Sequence, residues 1–358
     1  AVLLAAAAAA AAACASPEAP LGVPVADAPF AGIGVRAVEG IPAERHIRNL
    51  RQLTFEGENA EAYWSFDQDR VVFQHRGEGV PADQIYTMRL DGTDLRLVST
   101  GTGKTTCAYF LPGDREVIFA STHGASAEPP PPADMSRGYV WAIHDTYDLW
   151  AAGPGGLRRL TDSPGYDAEA VVSPDGSRIV FTSTRSGDLD LWTMNVDGTG
   201  LRQVTSEIGY DGGAFFTPDS KRLVYRAHHP EDPKEREAYL ALLREGYIRP
   251  MALQIMTADL DGSNAVQVTR NGSANFGPYM HPDGRRILFS SNMGDPKGRD
   301  FDLWTVNADG SGLEQVTFSP EFDGFPMFSA DGKRLIFCSN RHGAHRGNTN
   351  VFLADWVD

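Results

Sequence analysis

The sequence has few basic residues for the number of its acidic ones. Lysine and arginine together number 32 against 47 aspartates and glutamates, which gives a formal net charge of -15 at pH 7. A surface of this sign repels the phosphate backbone, so we expect no nucleic-acid partner. It favours a basic or neutral partner, or a cation, although acidic charge also serves solubility alone.

Long apolar runs are missing after the first residues of the chain. The run over residues 1–13 is too short to span a membrane and is typical of the apolar core of a secretion signal. It ends in three alanines and Cys14, a pattern that resembles a bacterial lipoprotein cleavage site. We predict a signal over residues 1–15 with lipidation of Cys14, then a flexible tether over residues 16–44. Export with cleavage nearby and an alanine-rich artefact are the alternatives.

Cysteine is scarce as well. Besides Cys14 the chain has only Cys107 and Cys338. The repeat pattern described below places these two residues in non-adjacent blades, so we expect no disulfide between them. The cysteine count therefore indicates little about the redox compartment.

Motifs of common catalytic sites are absent from the sequence. It contains neither a GxSxG nucleophile elbow nor an HExxH zinc motif. The segment GTGKTT at residues 101–106 looks like a phosphate-binding loop, but Val98 stands where the first glycine of that motif is required. No nucleophile is visibly paired with a base, so the sequence indicates binding rather than a recognisable reaction.

One motif recurs six times, about every 50 residues. Its clearest copies are AVVSPDGSRIVFTSTRSGDLDLWTMNVDGTGLRQVT at residues 170–205 and PYMHPDGRRILFSSNMGDPKGRDFDLWTVNADGSGLEQVT at residues 278–317. The other copies begin at Tyr63, Tyr109, Phe215 and Met327. Each copy predicts four short strands, because turn residues such as Asp-Gly separate β-branched and aromatic runs. We predict an all-β fold over residues 45–358, a six-bladed β-propeller of four-stranded antiparallel blades.

The two ends of the repeat array complement each other. The last copy stops at a third strand over residues 350–353, and an isolated fourth strand over residues 50–54 precedes the first copy. Pairing these two segments places an N-terminal outer strand in the last blade. That pairing closes the ring and removes two open sheet edges.

The repeat elements SPDG, FxSxR, DLWxMNxDG and QVT resemble the repeats of TolB and of the wider TolB-like periplasmic propellers. The resemblance covers residues 48–358 and implies the propeller fold. It also implies a periplasmic location, with outer-membrane anchoring if Cys14 is lipidated. TolB carries an α/β domain before its propeller, and residues 16–44 are too few to form one. A place in a Tol–Pal-type system is therefore not implied.

The first candidate site is a polar ring at the channel mouth, where the inner strands of the six blades begin. Each copy supplies one polar residue six positions before its first turn: Asn59, Thr105, Asp167, Asp211, Asn275 and Asp323. Glu61 and Glu169 lie two residues further along their strands. Neighbouring carboxylates repel one another, so this set favours a cation, a basic peptide or raised carboxyl pKa values. The alternative is that these side chains cap turns and tie the blades together.

The second candidate is a rim of basic side chains that follow the second strands: His75, His123, Arg185, His228, His229, Arg341 and His342. Imidazoles from several blades at one rim are suited to a transition metal, with His75, His123, His228 and His229 as candidate ligands. Propeller lyases that cleave oligogalacturonate have a comparable central histidine cluster. The alternative is that these histidines lie on the surface or between blades.

Two insertions separate a second from a third strand, at residues 124–148 and 230–253. The first contains four consecutive prolines at residues 129–132, with Tyr139, Trp141 and His144 after them. In the second, PKEREAYLALLREGY predicts a short amphipathic helix with Tyr239, Leu242, Leu243 and Tyr247 on its apolar side. Long loops in a compact domain are usually functional, so we expect a lid or a partner-binding role rather than padding of the channel mouth.

These features together predict a monomeric, non-catalytic module of the cell envelope that binds a protein or peptide at the acidic face framed by the insertions. The alternative is a metal-dependent hydrolase or lyase that uses the rim histidines, with Asp167, Asp211 or Glu169 as general base. A structural scaffold is the third hypothesis. We predict no cofactor, apart from a divalent cation in the enzymatic alternative, and no membrane contact beyond the lipid anchor.

Overall fold

A computed structural model describes residues 21–26 and 28–358. The strands of the described residues are, in chain order, β1 (Val23–Pro24), β2 (Arg36–Ala37), β3 (Ile47–Gln52), β4 (Glu58–Trp64), β5 (Arg70–Gly77), β6 (Val80–Arg89), β7 (Arg96–Leu97), β8 (Thr105–Phe110), β9 (Val117–Ser121), β10 (Trp141–Ala142), β11 (Asp148–Gly153), β12 (Gly156–Arg159), β13 (Asp167–Val172), β14 (Arg178–Ser183), β15 (Asp190–Asn195), β16 (Arg202–Gln203), β17 (Tyr210–Phe216), β18 (Arg222–His228), β19 (Tyr247–Ile248), β20 (Gln254–Asp259), β21 (Val266–Gln267), β22 (Asn275–Met280), β23 (Arg286–Ser291), β24 (Asp302–Asn307), β25 (Glu314–Gln315), β26 (Asp323–Phe328), β27 (Arg334–Ser339) and β28 (Asn350–Trp356). The helical elements are α1 (Pro233–Arg244) and a 3-10 helix (Met135–Arg137).

Six antiparallel sheets form the blades of a β-propeller. From the inner strand outwards, blades 1 to 6 are β4-β5-β6-β7, β8-β9-β11-β12, β13-β14-β15-β16, β17-β18-β20-β21, β22-β23-β24-β25 and β26-β27-β28-β3. Each inner strand contacts the inner strands of both neighbouring blades, and β26 of the last blade contacts β4 of the first. The ring is therefore closed, and the predicted six-bladed propeller is confirmed.

The closing strand lies where the repeat pattern predicts it. In the antiparallel pair of β3 with β28, Gln52 lies opposite Phe352 and Arg51 opposite Leu353. The Val351 N–H donates to Thr54 Oγ1 at 2.8 Å, and the Leu53 N–H donates to the Val351 carbonyl oxygen at 2.8 Å. The first and last parts of the propeller are thus held together by backbone hydrogen bonds.

An aromatic residue at the same position of every second strand fills the space between blades. The residue is the fourth of that strand in five blades and the third of β9 in blade 2, namely Phe73, Phe119, Phe181, Tyr225, Phe289 or Phe337, and none of them is more than 2% exposed. The two preceding positions are Val, Ile or Leu in every blade, since both faces of these strands are covered by adjacent blades. Removing one such ring would cost about 3–5 kcal/mol of stability.

The segment before residue 45 differs from the expected flexible tether in its described part. Strand β1 pairs with β7 of blade 1, and β2 pairs with β3 of blade 6. Between them Phe30 is buried and stacks on the His75 ring, with ring centroids 3.5 Å apart. The composition of Ala, Pro and Gly favoured a tether, but one aromatic side chain and two short strand pairs fix this segment on the propeller.

The predicted signal over residues 1–15, including Cys14, lies outside the described residues, and its lipidation stays a prediction. Within the described part of the chain, no helix has the length and apolarity needed to cross a bilayer. Cys107 and Cys338 are free thiols in blades 2 and 6.

The two insertions contact each other. The first leaves blade 2 and the second leaves blade 4, and they meet in a two-stranded ribbon in which Trp141 of β10 lies opposite Ile248 of β19. The predicted helix forms as α1, with the Asp232 side chain capping its first turn. Tyr239 and Leu243 of α1 pack against an apolar cluster near blade 3. The insertions therefore form one layer at the same end of the channel.

Candidate functional site

The three carboxylates of the predicted ring lie inside the fold, each beside a cation of its own blade. Asp167 accepts two hydrogen bonds from Arg185 at 2.8 Å, and Asp323 accepts one from Arg341 at 2.7 Å. His229 Nε2 donates to Asp211 at 3.0 Å. Burial raises the pKa of Asp323 to about 6, while Arg341 lowers it. The rim and the ring thus form one layer of internal ion pairs.

The three neutral ring residues are also used within the fold. Asn59 Oδ1 contacts His75 Nδ1 at 2.9 Å, and Thr105 Oγ1 donates to the Asp83 carbonyl oxygen at 2.8 Å. Asn275 exchanges hydrogen bonds with Asn271. All six ring residues are fully buried, and none of them lines the cavity described below. Ligand contact by these six residues stays a prediction, because none of their side chains reaches the cavity.

The candidate metal ligands do not come together. His75 contacts Asn59 and Phe30, and burial lowers its pKa to about 4. His123 accepts or donates a hydrogen bond with Ser121 Oγ at 2.8 Å inside blade 2, and burial lowers its pKa. Burial also lowers the pKa of His228, whereas the neighbouring His229 pairs with Asp211. Among the residues that the structure describes, no three His, Cys, Asp or Glu side chains form a metal-binding group.

Each inner strand carries a β-bulge two residues beyond the ring. The bulged residue has a positive φ in all six blades, between 49° and 59°, at Glu61, Cys107, Glu169, Gly213, Gly277 and Phe325. Such a bulge inserts an extra residue and re-aims its side chain. For the four positions that are not glycine, this conformation costs about 1–3 kcal/mol each. The bulges direct a second, inner layer of side chains towards the channel.

This inner layer lines a cavity of about 1010 Å³ at the channel mouth. Other walls come from aromatic residues of the blades, which the sequence did not single out, and from residues of the first insertion, which it did: Tyr147, Tyr166, Phe276, Phe301, Phe322, Pro129, Pro130, Pro131, Pro132, Tyr139, Trp141 and His144. Of the eight predicted channel residues, Glu61 and Glu169 line the cavity. The first insertion thus forms part of the site.

Aromatic rings close the cavity at its inner end. Tyr63 of blade 1 and Phe215 of blade 4, which face each other across the channel, are in edge contact with ring centroids 5.5 Å apart. Tyr109 and Tyr279 pack beside them, at 5.8 Å from Tyr63 and 5.3 Å from Phe215. The site is therefore a funnel with an apolar floor rather than an open pore.

Glu169 is neutralised inside the funnel. It pairs with Arg226 and accepts hydrogen bonds from Thr182 Oγ1 at 2.7 Å and the Gly213 N–H at 2.9 Å. Trp141 lies against the Arg226 guanidinium, with the ring centroid 5.2 Å away. Arg226 therefore joins blade 3, blade 4 and the first insertion at one wall of the funnel.

Glu61 has a different environment. Among the described residues it makes no ion pair, and it lies in the same bulge layer as Cys107 of blade 2. Burial and the nearby Glu169 raise the pKa of Glu61 to about 7, while Cys107 and Arg226 lower it. A carboxyl group of this kind changes charge near neutral pH.

Sequence reasoning missed Arg226, Cys107 and the aromatic walls. A usable signal was present in the repeat alignment, since the residue two positions after each ring residue is Glu, Cys, Glu, Gly, Gly or Phe rather than a β-branched strand residue. A second signal was the constant spacing of eighteen residues between each ring carboxylate and its cation, as in Asp167 with Arg185.

Comparison with known proteins gives short sequence similarity and full-length similarity of fold. No family model matches the chain. Over 56 residues it is 41% identical to the Tol-Pal system protein TolB of Bordetella pertussis, a match that spans 16% of this chain and 13% of that protein. The whole activity of such a relative is therefore not transferred by this match.

Three solved structures illustrate the likeness of fold. TolB from Acinetobacter baumannii has a TM-score of 0.55 at 15% identity, over 81% of this chain and 64% of that chain. A gluconolactonase from Xanthomonas campestris has 0.54 at 14%, over 96% and 99%. An oligogalacturonate lyase from Vibrio parahaemolyticus has 0.51 at 11%, over 90% and 96%. Together with the repeat motifs, the comparisons show that the chain is a six-bladed β-propeller that is similar to TolB in sequence over 56 residues and in fold over most of its length.

Proposed function

We propose that this propeller is a non-catalytic module of the cell envelope that holds a segment of a partner protein in the channel-mouth funnel. The observation that carries the proposal is the funnel itself, a cavity of about 1010 Å³ with a closed aromatic floor and a wall supplied by an insertion. Most small-molecule pockets have volumes of about 300–1,000 Å³, so this cavity has room for several residues of a peptide.

The chemistry of the walls supports a peptide ligand. Aromatic side chains are enriched at protein interfaces, and rigid rings such as Trp141, Phe276 and Phe322 supply contact area at a low cost in side-chain entropy. The first insertion is rich in proline, so few of its side chains are flexible and have to be ordered on binding. The net charge of -15 favours a partner that is basic where it meets the propeller.

The envelope location is part of the same proposal. The similarity to a Tol-Pal system protein over 56 residues supports an envelope partner and the periplasm as the location. Lipidation at Cys14 would add an outer-membrane anchor, and a monomer suffices because one chain closes its own ring. The enzymatic alternative needs convergent histidines, and His75, His123 and His229 lie in separate hydrogen bonds of separate blades.

Capture from an envelope extract by the tagged full-length chain, at low and high salt, tests the proposal. We expect a specific partner that is released by high salt, since exposed charges are screened beyond about 8–10 Å. Replacing Trp141 by alanine should abolish capture because it removes one wall of the funnel. Met135→Ala is the control, because Met135 lies in the same insertion but is 61% exposed and does not line the cavity. Equal capture by the Trp141 and Met135 variants would contradict the proposal.

A further inference from the structure

We propose that Glu61 forms a subsite for an alkylammonium or guanidinium group, so that the bound segment presents a lysine or arginine side chain to the floor of the funnel. This inference rests on the proposed function and names the chemistry of its ligand. It is carried by the position of Glu61 at the cavity wall without an ion pair, by the aromatic floor and by the space beside Gly277.

Glu61 is the one acidic wall residue of the described structure that lacks a cation. Asp83 has Lys104 at 3.6 Å, and Glu169 has Arg226. Arg226 donates to Glu169 through Nη2 and to the Tyr210 hydroxyl through Nε and Nη2, so this guanidinium is held on the opposite wall. The groups that act on the Glu61 carboxyl are Glu169 and Asp83, which raise its pKa, and Arg226 and Cys107, which lower it.

A carboxylate in a partly buried cavity is costly unless a cation or donors compensate it. An apolar side chain in the funnel would leave Glu61 without a partner, and an acidic one would be repelled. A basic side chain of the ligand supplies the missing charge and a charge-assisted hydrogen bond. The wall therefore selects among ligands by charge.

The rings near Glu61 also favour a cation. Tyr63 lies two residues along the same strand, and Tyr147 lines the cavity. Burial is the largest cause of the raised pKa of Tyr63, and the charge of Glu61 is the second. The charge of Glu61 also contributes to the raised pKa of Tyr147. Aromatic faces attract ammonium and guanidinium groups, and the attraction grows when water is displaced.

The funnel has room for a long side chain opposite Glu61. The equivalent bulge positions of blades 4 and 5 are Gly213 and Gly277, and both line the same cavity as Glu61. Beside Gly213 the space of a side chain is filled by the Arg226 guanidinium, which would lie 2.7 Å from a Cβ atom, whereas at Gly277 the nearest atom is the Phe325 Cα at 3.5 Å. A lysine or arginine can therefore enter beside Gly277 and place its charged end at blade 1.

The test uses the full-length chain and three amidated, acetylated tripeptides, Phe-Lys-Phe, Phe-norleucine-Phe and Phe-Glu-Phe. Binding is followed by calorimetry and by the fluorescence of Trp141, which lines the cavity. At pH 8 we expect the lysine peptide to bind about tenfold tighter than its uncharged norleucine counterpart, and the glutamate peptide to bind most weakly. At pH 6 the preference for lysine should fall, because Glu61, with a pKa of about 7, is then largely protonated and uncharged.

Glu61→Gln should remove both the lysine preference and its pH dependence, while norleucine binding remains. Glu78→Gln is the matched control, since Glu78 is an exposed residue of the same blade and its loss changes the net charge equally. Equal binding of the lysine and norleucine peptides to the unmodified chain would overturn the inference. A Glu61→Gln variant that keeps the preference, or failure of all three peptides to bind, would do the same. Partner capture that persists in either case would leave the proposed function standing.

Discussion

Arg185 donates to both carboxylate oxygens of Asp167 at 2.8 Å, and this pair lies inside the propeller with Asp167 only 1% exposed. In blade 6, Arg341 donates to one carboxylate oxygen of Asp323 at 2.7 Å and to both oxygens of Glu44 at 2.9 Å. The acidic ring that stands out in the sequence is thus compensated within each blade. What remains for a ligand is the next layer inwards, where the bulges present Glu61 and Glu169 to the funnel.

The Asp167–Arg185 pair predicts a large loss of stability when one partner alone is removed. Arg185→Met leaves a buried carboxylate without its cation and should lower the free energy of unfolding by about 3–5 kcal/mol. The double variant Asp167→Asn with Arg185→Met should recover most of that loss, because no uncompensated charge remains. Urea denaturation of the unmodified chain and of the two variants measures this.

Arg51→Met serves as the control for this cycle. Arg51 pairs with Asp355 at the surface, where the two side chains are 35% and 41% exposed, so its loss should cost less than about 1 kcal/mol. If the Arg185 variant is no less stable than the Arg51 variant, the ring is not a structural layer, and the prediction that its residues bind a ligand is favoured instead.

The segment before the first blade provides a second prediction. Phe30→Ala removes a buried ring that stacks on His75 and should lower the free energy of unfolding by about 3 kcal/mol. Ile33→Ala changes a residue of the same segment that is 65% exposed, and should change stability by less than about 0.5 kcal/mol. Denaturation curves that coincide for the two variants would contradict the packing of this segment and favour the predicted flexible tether.

The pH dependence of stability follows from Asp302. Burial and the nearby Asp323 raise its pKa in the folded state to about 7 from an ordinary value of 3.8. The folded state therefore holds this proton more tightly than the unfolded state, and stability should fall as pH rises from about 4 to 7, by on the order of 2 kcal/mol. Asp302→Asn should flatten this fall and be more stable than the unmodified chain at pH 8.

Asp309→Asn is the matched control for the pH experiment. Hydrogen bonds from Ser311 lower the pKa of this exposed carboxyl, so its contribution has the opposite sign and is lost at acidic pH. Thermal unfolding between pH 4 and 8 distinguishes the variants. An Asp302→Asn profile parallel to that of the unmodified chain would show that Asp302 does not titrate as described.

The fold could be predicted because the same pattern of turn residues and strand residues recurs six times in the sequence. Turn residues such as Asp175-Gly176 and the aromatic residue of each second strand recur in register, and residues 50–54 supply the one missing strand. The packing of Phe30 could not be predicted, because a single aromatic in an Ala-, Pro- and Gly-rich segment gives no periodic pattern.

The site could be predicted only in part. Glu61 and Glu169 stand out as carboxylates in apolar strands, and both reach the funnel. The alternation of side chains along an ordinary strand does not predict a bulge. The sequence therefore did not indicate that the side chains at these positions turn towards the channel. Arg226 and Phe276 were missed because a cation and an aromatic within a strand look like edge and core residues until the blades are placed side by side.

Photo-crosslinking tests most directly whether a partner segment enters the funnel. Benzoylphenylalanine would replace Phe322, which lines the cavity, or Leu157, which is 43% exposed on an outer strand of blade 2. Irradiation in envelope extract should give a defined covalent adduct from position 322 and none from position 157. An adduct formed from position 157 and not from position 322 would show that the partner binds the outside of the propeller and would contradict the account.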